Sequence, residues 1–583
     1  MKYKVTVNPG GHVLELEEGT TYLDAQIKAG FHPDAPCGGQ GTCGKCLVDV
    51  VSDTGRVSTV KACSHKVSGD VTLRYRDESE IHILESGYER KITLKPAVRK
   101  APVTVARCEM GNNSSDWQRV KEAAARALGI YIKNIPVNKG LLNKIFDVLE
   151  DNDYQVEAVV YNNEIIDLVK ETNIYGAAVD IGTTSVVCYL LDLETGKELA
   201  HSSMLNPQSE YGADVIARAD YAIEHGVEIL SDVIRGAFNE LIEEACKKAG
   251  IDKNEIYVIS VVGNTCMHHL FMGLTPKPLV KAPYNTLVND EIVINARHAG
   301  ININPQAKLQ MLPNIAGFVG ADTAGVLLAV EFDKIEDLTL AIDIGTNGEM
   351  VLGNKNHMIA CSTAAGPAFE GAKIEKGMRG KEGAIDHVRL ADDGSVVCTV
   401  IEDQKAVGIC GSGLMDAVAV FLDAEIIDET GRFADPEDVS PVNADRFITT
   451  DEGIDAFLLK DDVYITQKDI REVQLAKGAI AAGIELMADK LGVEINDIKE
   501  VKIAGAFGNY MDSMSACKIG MIPMELSDRI TLIGNGAGEG AKIATLNYDE
   551  YRRAQNITDS VEFLELATSP DFQDTYVDHL MFD

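Results

Sequence analysis

Residues 37–46 read Cys-Gly-Gly-Gln-Gly-Thr-Cys-Gly-Lys-Cys, and a fourth cysteine follows in Lys61-Ala62-Cys63-Ser64. No other stretch restricts the fold as severely as this C-x5-C-x2-C…C pattern. Three thiols on one short loop and a fourth from a separate segment can converge only if the backbone wraps tightly around a compact centre. Gly38, Gly39, Gly41 and Gly44 supply the conformational freedom for that wrapping, and their amides can donate hydrogen bonds to sulfur.

Zinc is the simplest occupant of four cysteines, but zinc sites usually draw on two short C-x2-C-like pairs. Here one short pair, a glycine-rich five-residue gap and a lone cysteine point instead to a [2Fe–2S] cluster held by Cys37, Cys43, Cys46 and Cys63. The flanks agree. Strand-like runs at 3–8 and 12–17 precede a helical stretch at 22–29, and alternating strands follow at 47–51 and 71–75. This order resembles the β-grasp ferredoxins, whose plant-type C-x4-C-x2-C…C signature is expanded here by one residue. A ferredoxin-like domain is expected over residues 1–80.

The chain has 583 residues, too many for one hydrophobic core. Residues 81–100 are mixed and charged, and read as a linker. Residues 101–173 hold a strand, helical stretches at 116–128 and 139–150 and short strands at 154–161 and 164–169. That is enough for a small α/β middle domain, whose function the sequence does not reveal. Cys108 in this domain is expected to be a buried structural thiol. From residue 174 to 583, apolar strands alternate with helices and end in glycine-rich turns, as in α/β domains.

This last region contains an internal echo. Residues 177–185 read Ala-Ala-Val-Asp-Ile-Gly-Thr-Thr-Ser, and residues 340–349 read Leu-Ala-Ile-Asp-Ile-Gly-Thr-Asn-Gly-Glu. Each is an apolar strand ending in Asp-Ile-Gly-Thr. No Walker A sequence occurs, so a P-loop is excluded. A tight turn after a strand can instead present amides and hydroxyls to phosphate, and the strand-end carboxylate can hold Mg²⁺ directly or through water. Two such hairpins facing each other would grip a polyphosphate from both sides. Glycine clusters at 408–413 (Gly-Ile-Cys-Gly-Ser-Gly), 503–508 (Ile-Ala-Gly-Ala-Phe-Gly) and 533–538 (Ile-Gly-Asn-Gly-Ala-Gly) offer backbone approach on the adenosine side.

These motifs resemble the actin, sugar kinase and heat-shock-protein ATPase superfamily. The resemblance implies two ribonuclease-H-like subdomains with ATP between them. Carried over residue by residue, Asp180, Gly182, Thr183 and Thr184 would form one phosphate hairpin. Asp343, Gly345, Thr346 and Asn347 would form the other. Gly411, Ser412, Gly413, Gly505 and Gly508 would approach the nucleotide. Glu349 departs from the hydroxyl-rich second loop of sugar kinases, and no residue is marked as a general base.

A plant-type ferredoxin placed ahead of such an ATPase resembles the reductive activators of corrinoid-dependent methyltransferases. Further stretches are similar to that family: Asn206-Pro207-Gln208, Gly212-Ala213-Asp214-Val215, Gly263-Asn264-Thr265, Phe318-Val319-Gly320-Ala321-Asp322-Thr323 and Ala365-Gly366-Pro367-Ala368-Phe369-Glu370-Gly371. The resemblance implies ATP-dependent, one-electron reduction of a Co(II) corrinoid protein to Co(I). It also implies a low-potential electron donor and a homodimer through the ATPase domain. A metabolite kinase with a regulatory cluster and a nucleotide-switched redox sensor are the rival readings. Cys361, with Cys398 or Cys410, resembles the cysteine placement of dehydratase activators, but a second cluster is not expected beside a dedicated ferredoxin.

Charge and hydropathy narrow the partners. The net charge of −36 argues against nucleic acid, whose phosphates need a basic surface. No apolar run approaches the ~20 residues that cross a bilayer, and the N-terminus alternates like a strand rather than a signal peptide. A cytoplasmic protein without a membrane partner is expected, with its twelve cysteines as thiols. His268 and His269, adjacent in sequence, would point about 100° apart on a helix and cannot chelate one ion well, so a structural role is expected.

Overall fold

A computed structural model describes residues 2–8, 12–31, 33, 46–51, 57–74, 90–111, 113–129, 139–345, 347–366, 368–371, 373–505, 511–566 and 569–582. Cys37, Cys43, Thr346, Gly508, the four glycines of the cysteine loop and residues 81–89 of the expected linker lie outside these residues.

The N-terminal domain is a five-stranded sheet in the order His12–Glu17, Lys2–Asn8, Val71–Arg74, Leu47–Val51, Val57–Lys61. The first strand runs parallel to Val71–Arg74, with Val5 opposite Val71. The helix Tyr22–Lys28 packs on this β-grasp sheet through Leu23 and Ala25, which join Val5, Val7, Val48 and Leu73 in a small core. Thr21 caps the helix by accepting the Asp24 N–H at 3.0 Å. The strand Val57–Lys61 was not apparent from sequence, because Val57-Ser58-Thr59-Val60-Lys61 is short and its apolar residues do not alternate strictly.

A three-stranded antiparallel sheet, Val98–Thr104, Gln155–Tyr161 and Glu164–Val169, forms the next domain. The amphipathic helix Asp116–Leu128 packs on it through Val120 and Ala124. Two expectations fail here. The helix expected over 139–150 is broken into Lys139–Leu142 and Ile145–Asp151, the second entered at Lys144 without a side-chain cap. Cys108 is exposed rather than buried, because it lies past the end of Val98–Thr104 in irregular chain that leaves the sheet.

The duplication read from the paired Asp-Ile-Gly-Thr turns is the architecture of the remainder. One six-stranded sheet runs Glu198–Leu205, Ser185–Asp192, Tyr175–Ile181, Ile256–Gly263, Lys308–Met311, Ile292–Asn295. The other runs Ile530–Gly534, Glu500–Ala504, Thr339–Ile344, Gly348–Asn354, His357–Thr363, Val561–Phe563. In both, an antiparallel three-strand meander is extended by two strands parallel to the meander's first strand, the ribonuclease-H arrangement, with one extra edge strand. The central strands, Tyr175–Ile181 and Thr339–Ile344, are buried on both faces, which explains their near-continuous apolar sequences.

The lobes meet through two helices, Ala321–Ala329 and Gly536–Leu546, that touch backbone to backbone. A Cβ on Gly540 would fall 2.2 Å from the Gly325 carbonyl oxygen, and one on Gly325 would fall 2.9 Å from that of Ala537. The 533–538 glycines, read from sequence as a nucleotide approach, are also packed against the chain itself. Gly536 faces Val326 and Gly538 faces Tyr189 and Asn535, so these glycines serve close packing between helix and sheet. A further three-stranded sheet, Val396–Val400, Ala384–Leu390 and Gly408–Ile409, carries the helix Gly411–Asp423 above the second lobe.

Candidate functional site: the cleft between the two lobes

Asp180 and Asp343 occupy equivalent places in the two sheets. Each sits one residue from the carboxyl end of its central strand, beside the neighbouring parallel strand: Asp180 pairs with Val262 and Asp343 with Ala504. A cavity of about 430 Å³ lies between the lobes and both carboxylates line it. Gly182, Thr183 and Thr184 line it from the first hairpin, and Gly345 and Asn347 from the second. Gly411, Ser412 and Gly505 complete the set that the sequence marked. Gly413 is not in the wall. Its lack of a side chain is needed elsewhere, since a Cβ there would lie 2.3 Å from the Ile385 carbonyl oxygen.

The hairpins are braced from below. Asn206 donates to the Gly182 carbonyl at 2.8 Å, and Asn264 donates to the Thr183 hydroxyl at 3.0 Å. Asn264 also caps the helix Thr265–Met272 by accepting the Met267 N–H at 3.0 Å, so one side chain ties a helix start to the turn. On the other lobe Gly505 has φ +99°, and a Cβ would fall 2.7 Å from Asp343 Oδ1. Glycine is required there for both reasons.

The electrostatics of the cavity are lopsided. Asp180, Asp322, Asp343 and Glu349 crowd one end. Burial, aided by the charge of Asp322, pushes Asp180 up to about 7. Burial, with Asp322 and Asp180 adding repulsion, pushes Asp343 up to about 8. Burial raises Asp322 to about 6, and burial followed by the charges of Asp322 and Asp343 raises Glu349 well above the ordinary carboxylate range. A cation would relieve the repulsion within such a cluster. Among the described residues, however, no three metal-binding side chains converge closely enough to hold an ion alone. Both facts fit magnesium, which keeps several waters and binds through one or two carboxylates together with phosphate oxygens. The chemistry of the donor set therefore suits Mg·ATP.

Several wall residues were not assigned from sequence. Asn264, Asp322 and Glu370 lie inside stretches singled out as family-like, but nothing in their spacing gave them a role. Arg379, Asp386 and His387 carried no local signal at all, and Asn535 sat inside the 533–538 glycine cluster without a role of its own. His387 shares a 3.0 Å hydrogen bond between Nδ1 and Asp416 Oδ2, and Ser412 donates to the Asp386 carbonyl at 2.9 Å.

In the N-terminal domain only two of the four cysteines fall among the described residues. Cys46 is buried and Cys63 half-buried, and the Cys63 N–H points to Cys46 Sγ at 3.5 Å. Two thiols brought together from separate segments, with a backbone amide on sulfur, suit an iron–sulfur cluster. Cys37 and Cys43 lie outside the described residues. Elsewhere, His268 and His269 are buried and neutral. Burial lowers His268 to about 3, and His269 bonds the Thr265 carbonyl at 2.7 Å and the Leu287 N–H at 3.1 Å. They are structural, as adjacent residues on a helix should be. Cys361 packs in the core of the second lobe near Gly483.

A duplicated ribonuclease-H-like pair of lobes with Asp-Ile-Gly-Thr hairpins on one cleft, preceded by a β-grasp domain with convergent cysteines, defines an iron–sulfur ATPase of the actin and sugar-kinase class. Four family profiles match in series: a 2Fe-2S iron-sulfur cluster binding domain over residues 5–71, the RACo linker region over 87–173, the RACo middle region over 175–335 and the C-terminal domain of RACo, the ASKHA domain, over 337–583. The chain is 36% identical over 592 aligned positions to the corrinoid activation enzyme RamQ of Eubacterium limosum, covering 98% of this chain and 97% of that protein. It is 27% identical over 442 positions to a [Co(II) methylated amine-specific corrinoid protein] reductase of Methanosarcina barkeri, covering 70% and 77%. A solved structure titled reductive activator for corrinoid, iron-sulfur protein superposes with a TM-score of 0.77 at 31% identity, covering 100% of this chain and 98% of the other. The chain belongs to the RACo family of corrinoid-activating enzymes. Its cofactors are a [2Fe–2S] cluster and Mg·ATP.

Proposed function

We propose that this chain delivers one electron from a cluster on Cys37, Cys43, Cys46 and Cys63 to the Co(II) corrinoid of a methyltransferase system, restoring Co(I) at the expense of ATP. What supports this most is the joining, in one family-matched chain, of a cysteine-bearing β-grasp domain to a cleft where Asp180 and Asp343 share one cavity. The energetics explain why both are needed. Plant-type clusters lie near about −400 mV, and Co(I) demands a lower potential still. For a single electron every ~59 mV of mismatch costs a factor of ten in the equilibrium constant. ATP can offset that only by favouring a state of the complex with a different affinity for the corrinoid protein.

The division at residues 80, 100 and 173 assigns electron delivery to the first domain and nucleotide binding to the last. In the cleft, Gly182, Thr183, Thr184, Gly345, Thr346 and Asn347 bind phosphates, Asp180 and Asp343 orient the magnesium, and Gly411, Ser412, Gly505 and Gly508 border the nucleoside, with Gly413 packed behind them. A low-potential donor reloads the cluster, the ATPase domains pair as a homodimer, and the protein works in the cytoplasm. No described helix is long and apolar enough to cross a membrane.

Anaerobic mixing of the protein with a low-potential reductant, Mg·ATP and a panel of Co(II) corrinoid proteins tests the whole scheme. Co(I) should appear in the corrinoid spectrum with matching phosphate release. Omitting ATP should nearly stop it, and removing residues 1–80 should stop it while leaving ATP binding intact. Failure of every partner to stimulate ATP turnover or yield Co(I) would refute the assignment and favour a kinase or sensor.

A further inference from the structure

One hydrogen bond crosses the cleft directly from the first hairpin. The Thr184 hydroxyl donates to Glu370 Oε2 at 2.8 Å, joining residues 186 positions apart on opposite lobes. Thr184 is one of the hydroxyls that faces the cavity, so the Glu370 carboxylate accepts from a donor that a phosphate oxygen would otherwise use.

Glu370 is held as a unit with Arg379. The chain crosses itself just beside both residues. Gly371 has φ +72°, and a Cβ there would fall 2.7 Å from the Met378 amide nitrogen. A Cβ on Gly377 would fall 2.4 Å from the Gly371 carbonyl oxygen. The crossing is pinned to the rest of the lobe where Met378 N–H donates to the Ile409 carbonyl and Ile409 N–H to that of Lys376, each at 2.8 Å. Arg379, next along, lines the cavity, and its Nη1 is buried without a hydrogen-bond partner. Buried Arg218 lies close to both. Burial lowers its guanidinium to about 10, the Cys266 thiol and the Glu370 carboxylate pull it back up, and the like charge of Arg379 lowers it further.

The charge count makes the pair consequential. Among the described residues lining the cavity, six are carboxylates (Asp180, Asp322, Asp343, Glu349, Glu370 and Asp386), whereas Arg379 is the sole Lys or Arg. A buried guanidinium nitrogen with no acceptor is costly to leave bare. Phosphate is the acceptor whose geometry best matches its fork.

We propose that Glu370 and Arg379 form a sensor for the terminal phosphate of a nucleoside triphosphate. Without nucleotide, Glu370 holds the two lobes together through Thr184. The terminal phosphate takes over the Thr184 hydroxyl and accepts from Arg379 Nη1, releasing Glu370. Because the two residues share one backbone crossing, the exchange shifts the stretches of chain that meet there, 368–371 and 376–380. A diphosphate, one phosphoryl group shorter, leaves the Thr184–Glu370 bridge in place. This inference rests on the nucleotide reading of the cleft.

Calorimetric titration of the full-length protein with Mg·ADP and with a β,γ-imido analogue of Mg·ATP tests the sensor without requiring turnover. Arg379→Met should weaken the triphosphate analogue by roughly 10- to 100-fold, the worth of a charge-assisted hydrogen bond, and change ADP by less than about threefold. Glu370→Gln should tighten the analogue several-fold and leave ADP unchanged. Arg379→Lys, which keeps the charge and loses the fork, should fall between wild type and Arg379→Met. Equal losses for both nucleotides in Arg379→Met, or an unchanged triphosphate preference in Glu370→Gln and Arg379→Lys together, would overturn the sensor. Wild-type protein that binds neither nucleotide would overturn the ATPase reading itself.

Discussion

Replacing Asp343 with Asn should make the nucleotide-free protein more stable at pH 8 while abolishing its stabilisation by Mg·ATP. The carboxyl lines the cavity at the end of its strand, and burial with the neighbouring charges of Asp322 and Asp180 raises it from an ordinary 3.8 to about 8. At about 1.4 kcal/mol per unit, ionising Asp343 in the folded chain costs on the order of 5 kcal/mol more than ionising it unfolded. The sign follows from proton counting. Between pH 4 and 8 the folded state keeps a proton that the unfolded state has lost, so stability falls as pH rises through this window. Asn keeps the shape and cannot ionise, which removes that slope.

Calorimetric melting in a chelator at pH 6 and pH 8 reads the effect. Wild type should lose several degrees in the ATPase transition between the two pH values, Asp343→Asn distinctly less, and the variant should melt above wild type at pH 8. Adding Mg·ATP at pH 8 should raise the wild-type transition and leave that of the variant in place, because the cation and phosphates relieve a repulsion the variant no longer has. A variant that melts below wild type at pH 8 with an unchanged pH slope would refute the picture of a strained, cation-seeking carboxylate cluster.

Two further outcomes follow from the packing. Cys63→Ala should lose or badly distort the visible absorption of the cluster, since three thiolates leave one iron short of a ligand; an unchanged spectrum and two irons per chain would show that the fourth ligand is elsewhere. Gly540→Ala should destabilise the ATPase domain by about 1–3 kcal/mol, as expected for overpacking, because its Cβ would lie 2.2 Å from the Gly325 carbonyl oxygen. A melting temperature within a degree of wild type would mean the two helices separate at little cost.

How much of this was legible depended on the range over which each residue acts. The cysteine loop and the Asp-Ile-Gly-Thr turns could be read because their chemistry is local: wrapping a cluster or turning around phosphate needs particular residues at adjacent positions. The duplication was legible for the same reason, since the second turn repeats the first. Asp322, Arg379 and Asp386 were not, because each reaches the cavity from a different element and only the fold brings them together. The glycine cluster at 533–538 was readable only as a place of close approach. Such a cluster looks alike whether a ligand or the chain itself comes near, and here Gly536 packs on Val326 and Gly538 on Tyr189 while Asn535 and Ala537 line the cavity. Cys108 misled because thiols are usually buried, a tendency that says nothing about chain leaving the end of a sheet.

The position of the linker domain gives the cleft a mechanical consequence. Its sheet is joined to the first lobe through Lys308–Glu164 at 2.7 Å and through the Gln310 side chain, which donates to the Tyr161 hydroxyl at 2.9 Å. Tyr257 and Asn304 add bonds to buried Asp167 at 3.2 and 3.4 Å. The chain entering this domain is held by the helix Tyr548–Asp559, where Arg90 pairs with Glu550 at 2.8 Å, and by the end of Gly536–Leu546, whose Leu546 carbonyl accepts the Lys95 N–H at 2.9 Å. Tyr548–Asp559 directly follows Gly536–Leu546, the helix on which the lobes meet at Gly325 and Gly540. The linker domain is therefore anchored both to one lobe and to the element at the seam between lobes. Any change in lobe angle that accompanies nucleotide binding must either carry the linker domain along or break these bonds. Cutting Arg90–Glu550 and Lys308–Glu164 together would loosen that coupling without touching the cavity wall. The seam thus supplies a physical route from the Asp-Ile-Gly-Thr hairpins to the chain at 90–95.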